Sequence, residues 1–172
     1  MRSRGFTLVE LMVVVVIVVI MVALAGAQLM RSPGEAVRDE SERLALLLQA
    51  ARDEAILQGR VFAFGAGRES YRFLRLELDG KLKITKDDEL LRPRQLPPGV
   101  AIESLQVEGA DANADIGIGS GNSTSGGASQ PQGVVFLPSG DLPGFRILLA
   151  GGGARWSVVG APDGTIRAQA GS

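Results

Sequence analysis

Few residues in this 172-residue chain can do chemistry. Histidine and cysteine are both absent. That removes the commonest general base, the commonest zinc ligand, thiol nucleophiles and disulfides. The remaining carboxylates, lysines and serines form no paired arrangement with a recognisable catalytic geometry, so an enzyme is not expected. No cofactor is expected either. Asp111, Asn113 and Asp115 have the alternate spacing of a calcium loop. However, the glycine comes one position late, at Gly117, and the twelfth position is Asn122 instead of a glutamate. A polar loop is the reading there, and no metal site is expected. Gly151-Gly152-Gly153 is not followed by a helix pattern or a lysine-serine pair, so it reads as a hairpin turn and not a phosphate loop.

One acid stands in an unusual place. Glu10 heads a run of 20 residues, Leu11 to Met30, that contains no charge. A carboxylate inside a membrane costs roughly 2.5–3.5 kcal/mol at the centre and less near an end, so it is usually there for a function. Cleavage after Gly5 would free an α-amine on Phe6, four residues from Glu10. In low dielectric, such an amine and the carboxylate of a neighbouring helix would attract strongly and set an axial register. Arg2 and Arg4 precede the run and favour a cytoplasmic N-terminus.

The elements that position this acid follow from the pattern behind it. As a helix, Leu11 to Met30 would be about 30 Å long, the thickness of a bilayer's hydrocarbon core. Its valines and isoleucines favour strand in water, but a lone segment in lipid must satisfy its own backbone and so is helical. Ser32 and Glu35 have capping-box spacing, with Pro33 suited to a first helical turn. A second helical segment is therefore expected over 31–58, ended by Gly59. Val37, Leu44, Leu48, Ala51 and Ala55 share one face of it. Asp39 and Arg43 are spaced as an ion pair, and Leu46 and Leu57 fall off the main face.

Residues 60–172 read as β-rich. Strands are expected over 60–64, 71–78, 81–85, 100–107, 134–137, 145–149, 155–159 and 165–168. Leu74, Leu76 and Leu78 alternate onto one side. Asp79-Gly80, Leu96 to Gly99, Pro138 to Gly140, Gly151 to Gly153 and Asp163-Gly164 supply turns. Gly109 to Gly133 is rich in small polar residues and reads as a flexible loop. Trp156, the single tryptophan, is expected to pack. Removing Arg2 and Arg4 leaves 16 basic against 19 acidic residues, a net −3. That balance argues against nucleic acid as a partner.

Gly5-Phe6-Thr7-Leu8-Val9-Glu10 resembles the processing site of type IV pilins and type II secretion pseudopilins. The resemblance implies a leader over 1–5, cleavage by prepilin peptidase between Gly5 and Phe6, N-methylation of Phe6 and an assembly role for Glu10. It implies a transmembrane and assembly helix over 6–30 and a periplasmic domain over 31–172. An ordinary secretory signal cut after Ala25 and a plain uncleaved anchor are the competing readings.

Further residues resemble the H-type minor pseudopilins of type II secretion. They are Tyr71-Arg72-Phe73-Leu74, Asp87 to Arg94, Leu96 to Val100, Val135 to Gly140 and Asp163-Gly164-Thr165-Ile166. This resemblance implies an α+β, pilin-like fold, a long N-terminal helix packed on antiparallel β-sheets. It implies a structural subunit near the tip of the periplasmic pseudopilus that exports folded proteins across the outer membrane. Major and minor pseudopilins, the inner membrane and the inner-membrane secretion platform are the implied partners. The alternative is a minor pilin of a type IV pilus, serving assembly, adhesion or DNA uptake.

Overall fold

The computed structural model describes residues 8–29, 33–109 and 133–171, without the side chains of 23–29 and 33. Ser32, the expected cap, lies outside the described residues, and so do most of the 109–133 loop and its Asp111, Asn113 and Asp115. The chain divides into two compact units, Met1–Ser32 and Pro33–Ser172.

In the first unit, helix α1 runs Leu8–Leu29. Its side chains from Leu8 to Val22 are exposed all round. A helix that is apolar on every face is suited to lipid or to a bundle, not to one-sided packing.

The second unit is built on helix α2, Pro33–Gln58. Val37, Leu44, Leu48, Ala51 and Ala55 are fully buried, so the face read from helical spacing is the one that packs. The helix ends where Gly59 takes a φ of 62°. That left-handed turn lets Gly59 N–H donate to Ile56 O at 3.3 Å and Arg60 N–H to Ala55 O at 3.1 Å. Two carbonyls of the last turn are satisfied this way, at little cost only to glycine. Arg60 is thereby used in the cap, and the first strand starts at Phe62, two residues later than expected.

Among the described residues, nine strands follow: β1 Phe62–Ala66, β2 Ser70–Leu76, β3 Leu82–Ile84, β4 Arg94–Gln95, β5 Ala101–Val107, β6 Gly133–Phe136, β7 Phe145–Gly151, β8 Ala154–Gly160 and β9 Ile166–Ala170. One sheet has the order β3-β2-β1-β6, with β4 also paired to β2; the other has the order β5-β7-β8-β9. Every pairing is antiparallel. Helix α2 packs on β7, β8 and β9 of the second sheet and on β1 and β6 of the first.

The first sheet turns Phe62, Phe64, Tyr71, Phe73 and Phe136 toward the common core. Tyr71 and Phe73 meet edge to face at 6.2 Å, and Phe64 lies 5.4 Å from Phe73. Leu74 points the other way, where it joins Ala63, Leu82 and Ile84 in a small separate cluster. Leu78 lies past the end of β2 and is 94% exposed. The alternation of leucines in β2 therefore marks the outer face, and the aromatics mark the inner one.

The turns form where glycine and aspartate place them. Gly80 N–H donates to Glu77 O at 3.0 Å and Gly164 N–H to Ala161 O at 2.9 Å. Gly152 and Gly153, at φ 58° and 81°, close the β7–β8 hairpin. This positive pair suits the twist of the flanking strands.

Candidate assembly site

Glu10 lies in the first turn of α1 and its residue is exposed. A carboxylate there stands at the positive end of the helix dipole. Its neighbours Leu8, Val9 and Leu11 are exposed too. The acid thus stands in an apolar surface that its own helix leaves uncovered. Gly5 and Phe6 lie outside the described residues, so Glu10 is the one expected site residue that the structure places. Among the described residues, no helix is long and apolar enough to cross a membrane. The described side chains of α1 stop at Val22, while the uncharged sequence continues to Met30.

A second polar site ties α2 to the first sheet. Glu40 is 3% exposed, and its Oε1 accepts the Tyr71 hydroxyl at 2.8 Å. Arg43 Nη1 donates to Glu40 Oε2 at 3.3 Å. The expected Asp39–Arg43 pair is replaced by this one. Glu40 is already held in place by Tyr71 and needs a counter-charge, whereas Asp39 is exposed and hydrated. Burial pushes the Tyr71 phenol well above its ordinary range, and the adjacent Glu40 carboxylate adds to the shift. Arg94 faces Tyr71 across the β2–β4 pairing and favours the opposite direction.

Two more contacts fix α2 to the strands. Gln49 Nε2 donates to Ile166 O at 2.6 Å. Arg52 Nε donates to Gly140 O at 3.4 Å, and its guanidinium lies against Gly164, where a Cβ would come 2.4 Å from Nη2. Asp163 is held below the usual carboxylate range, first by the Thr165 backbone N–H. Trp156 packs against the core, with Arg38 Cζ 5.7 Å from its ring centre.

Glu40, Tyr71 and Arg52 escaped the sequence reading. Glu40 did leave a signal: it sits three residues after Val37 and four before Leu44, inside the apolar stripe. An acid at such a position requires a buried partner. Among the described residues, no group of three or more acids is placed to hold a metal ion.

Helix α1 thus carries one acid ahead of apolar side chains, and helix α2 is locked onto two sheets. Residues 40–164 match the family described as Type II transport protein GspH, and residues 1–26 match the prokaryotic N-terminal methylation motif. The chain is 34% identical over 152 residues to type II secretion system protein H of Pseudomonas aeruginosa, covering 86% of this chain and 83% of that protein. The crystal structure of the minor pseudopilin EPSH from the type II secretion system of Vibrio cholerae is similar in fold. It has a TM-score of 0.60 at 19% identity and covers 81% of this chain and 96% of that one. The solution structure of E. coli GspH has a TM-score of 0.53 at 16% identity, covering 82% and 94%. The fold is α+β, an N-terminal helix packed on antiparallel sheets.

Proposed function

The chain belongs to the Type II transport protein GspH family, and from that premise we propose that it is a minor pseudopilin of a type II secretion system. The observation that carries this reading is the union of two matches in one polypeptide. The methylation motif at 1–26 is followed by the GspH domain at 40–164.

The mechanism rests on the N-terminal residues. Prepilin peptidase cuts between Gly5 and Phe6, and Phe6 is methylated. The new amine stays cationic, since N-methylation does not remove its basicity. Before assembly, residues 6–30 hold the subunit in the inner membrane, with the N-terminus cytoplasmic and residues 31–172 periplasmic. Glu10 then attracts the Phe6 amine of a neighbouring subunit. At about 4 Å and an effective dielectric near 20, that attraction is about 4 kcal/mol, enough to offset the cost of an acid near the membrane edge. The subunit occupies a place near the tip of the pseudopilus, among major and minor pseudopilins and above the inner-membrane secretion platform.

Deleting the coding sequence tests this reading. Folded type II substrates should accumulate in the periplasm, and the wild-type chain should restore their export. Normal export, with loss of surface pili or DNA uptake, would transfer the protein to a type IV pilus.

A further inference from the structure

Asp79-Gly80 and Asp163-Gly164 are the two Asp-Gly pairs in the chain. Their main chains form the same turn. Gly80 N–H donates to Glu77 O at 3.0 Å and Gly164 N–H to Ala161 O at 2.9 Å, with φ 75° and 85°. Asp79 Oδ1 accepts the Lys81 N–H at 3.1 Å, and Asp163 Oδ1 accepts the Thr165 N–H at 2.8 Å.

The surroundings of the two turns differ. Asp79, Gly80 and Lys81 are all exposed, and a Cβ built on Gly80 would meet nothing within 4 Å. The turn joins β2 to β3, a strand of three residues at the end of its sheet. Short edge elements with little buried contact open at low cost. Gly164 is half-buried instead, and a Cβ there would run into the Arg52 guanidinium. Arg52 also donates to Gly140 O at 3.4 Å, so it ties the Asp163 turn to the body of the domain.

An Asp-Gly pair carries its own reactants. The glycine nitrogen can attack Cγ of the preceding aspartic acid, and glycine has no Cβ to obstruct the approach or to restrict φ. The nitrogen loses its hydrogen, Cγ loses its hydroxyl, and one water leaves a cyclic imide. Water then adds to the former main-chain carbonyl and breaks its bond to nitrogen. The chain now runs through Cβ and Cγ, and the old carbonyl carbon becomes the free carboxylate. No atom is gained or lost, and no oxidant or reductant is required.

We propose that Asp79 is a site of conversion to isoaspartate in the folded chain and that Arg52 protects Asp163 from the same reaction. Ring closure needs the turn to open and the aspartate to rotate toward the next nitrogen. The Asp79 hairpin allows this, and the Arg52 clamp opposes it. The Asp163 carboxyl is also held below the usual carboxylate range, first by the Thr165 backbone N–H and further by Arg52, which disfavours the acid form that loses water. Conversion at Asp79 lengthens the main chain between Glu77 and Lys81, whose N–H to O bond of 2.9 Å closes the hairpin. Strand β3 is therefore the element it disturbs, and the β1–β2 pairing does not include the turn. The proposal does not depend on the pseudopilin reading.

Full-length protein in detergent micelles is aged at neutral pH and digested with trypsin. The peptides are then methylated by protein L-isoaspartyl methyltransferase with labelled S-adenosylmethionine. Asp79 lies in the peptide 76–81 and Asp163 in the peptide 156–167. The first should be labelled, and the second at least about tenfold less, the factor that about 1.4 kcal/mol of barrier supplies. The chain aged in guanidinium chloride should label both peptides alike, and Asp79→Glu should remove the label from 76–81. Arg52→Ala should raise the label at Asp163 and leave Asp79 unchanged. Where that variant does not fold, the wild-type comparison of folded and denatured chain decides. Comparable labelling of the two peptides from the folded chain, or absence of label from 76–81, overturns the proposal. So does a folded Arg52→Ala chain in which Asp163 stays as protected as before.

Discussion

Tyr71→Phe deletes one oxygen and leaves the packing of the ring intact. The lost hydroxyl donates at 2.8 Å to a carboxylate that is 3% exposed. Among the described residues, Glu40 then keeps Arg43, at 3.3 Å. Hydrogen bonds to charged groups contribute about 1.5–3 kcal/mol, and an unsatisfied buried acceptor costs a similar amount. Space for a replacement water is limited, because Phe64 and Phe73 flank the ring. A loss of about 2 kcal/mol is expected, read as a lower urea midpoint at unchanged slope. Trp156, the single tryptophan, reports unfolding, and Glu40→Gln, which still accepts from Tyr71, should lose less. A Tyr71→Phe variant within about 0.5 kcal/mol of the wild type would show that the buried bond does not hold α2 to the sheet.

The same pair predicts a pH effect of definite sign. Tyr71 is the single tyrosine, and its folded pKa is raised. The unfolded phenol titrates near pH 10, so the protonated form favours the folded state. This contribution is intact below about pH 10 and declines above it, by at most about 1.4 kcal/mol per pH unit. Tyrosinate absorbance should therefore appear together with unfolding. Reversible ionisation near pH 10 in the folded protein would contradict the burial argument.

Further perturbations address other elements. Gly160→Val should destabilise by about 1–3 kcal/mol, since a Cβ there would lie 2.1 Å from Phe145 Cε1; a thermal midpoint equal to the wild type would show that the ring moves aside freely. Glu10→Ala should be processed normally yet reduce filament incorporation and export at least about tenfold, and undiminished export would give the carboxylate another purpose. Gly5→Trp should leave the leader attached, as judged by the mass of the isolated chain; normal processing would contradict the cleavage assignment.

Much of the fold was legible because local rules agreed with tertiary needs. The buried face of α2 repeats at helical spacing, and the Asp79-Gly80, Gly152-Gly153 and Asp163-Gly164 turns need residues that tolerate positive φ or bond their own backbone. The partner of Glu40 was not legible, since Tyr71 lies 31 residues away and no local spacing connects the two. The inner side of β2 was obscure for another reason. Both faces carry large apolar residues, so alternation alone cannot tell Phe73 from Leu74. Of the expected assembly residues, Glu10 was visible as an acid heading an uncharged run, whereas its partner amine depends on a cleavage that no fold displays.

The mass of the amino-terminal peptide of the mature, membrane-derived protein tests the central claim most directly. A peptide that begins at Phe6 and carries one added methyl group is the predicted result. A peptide that retains Met1, or begins at Gly26, would contradict the account.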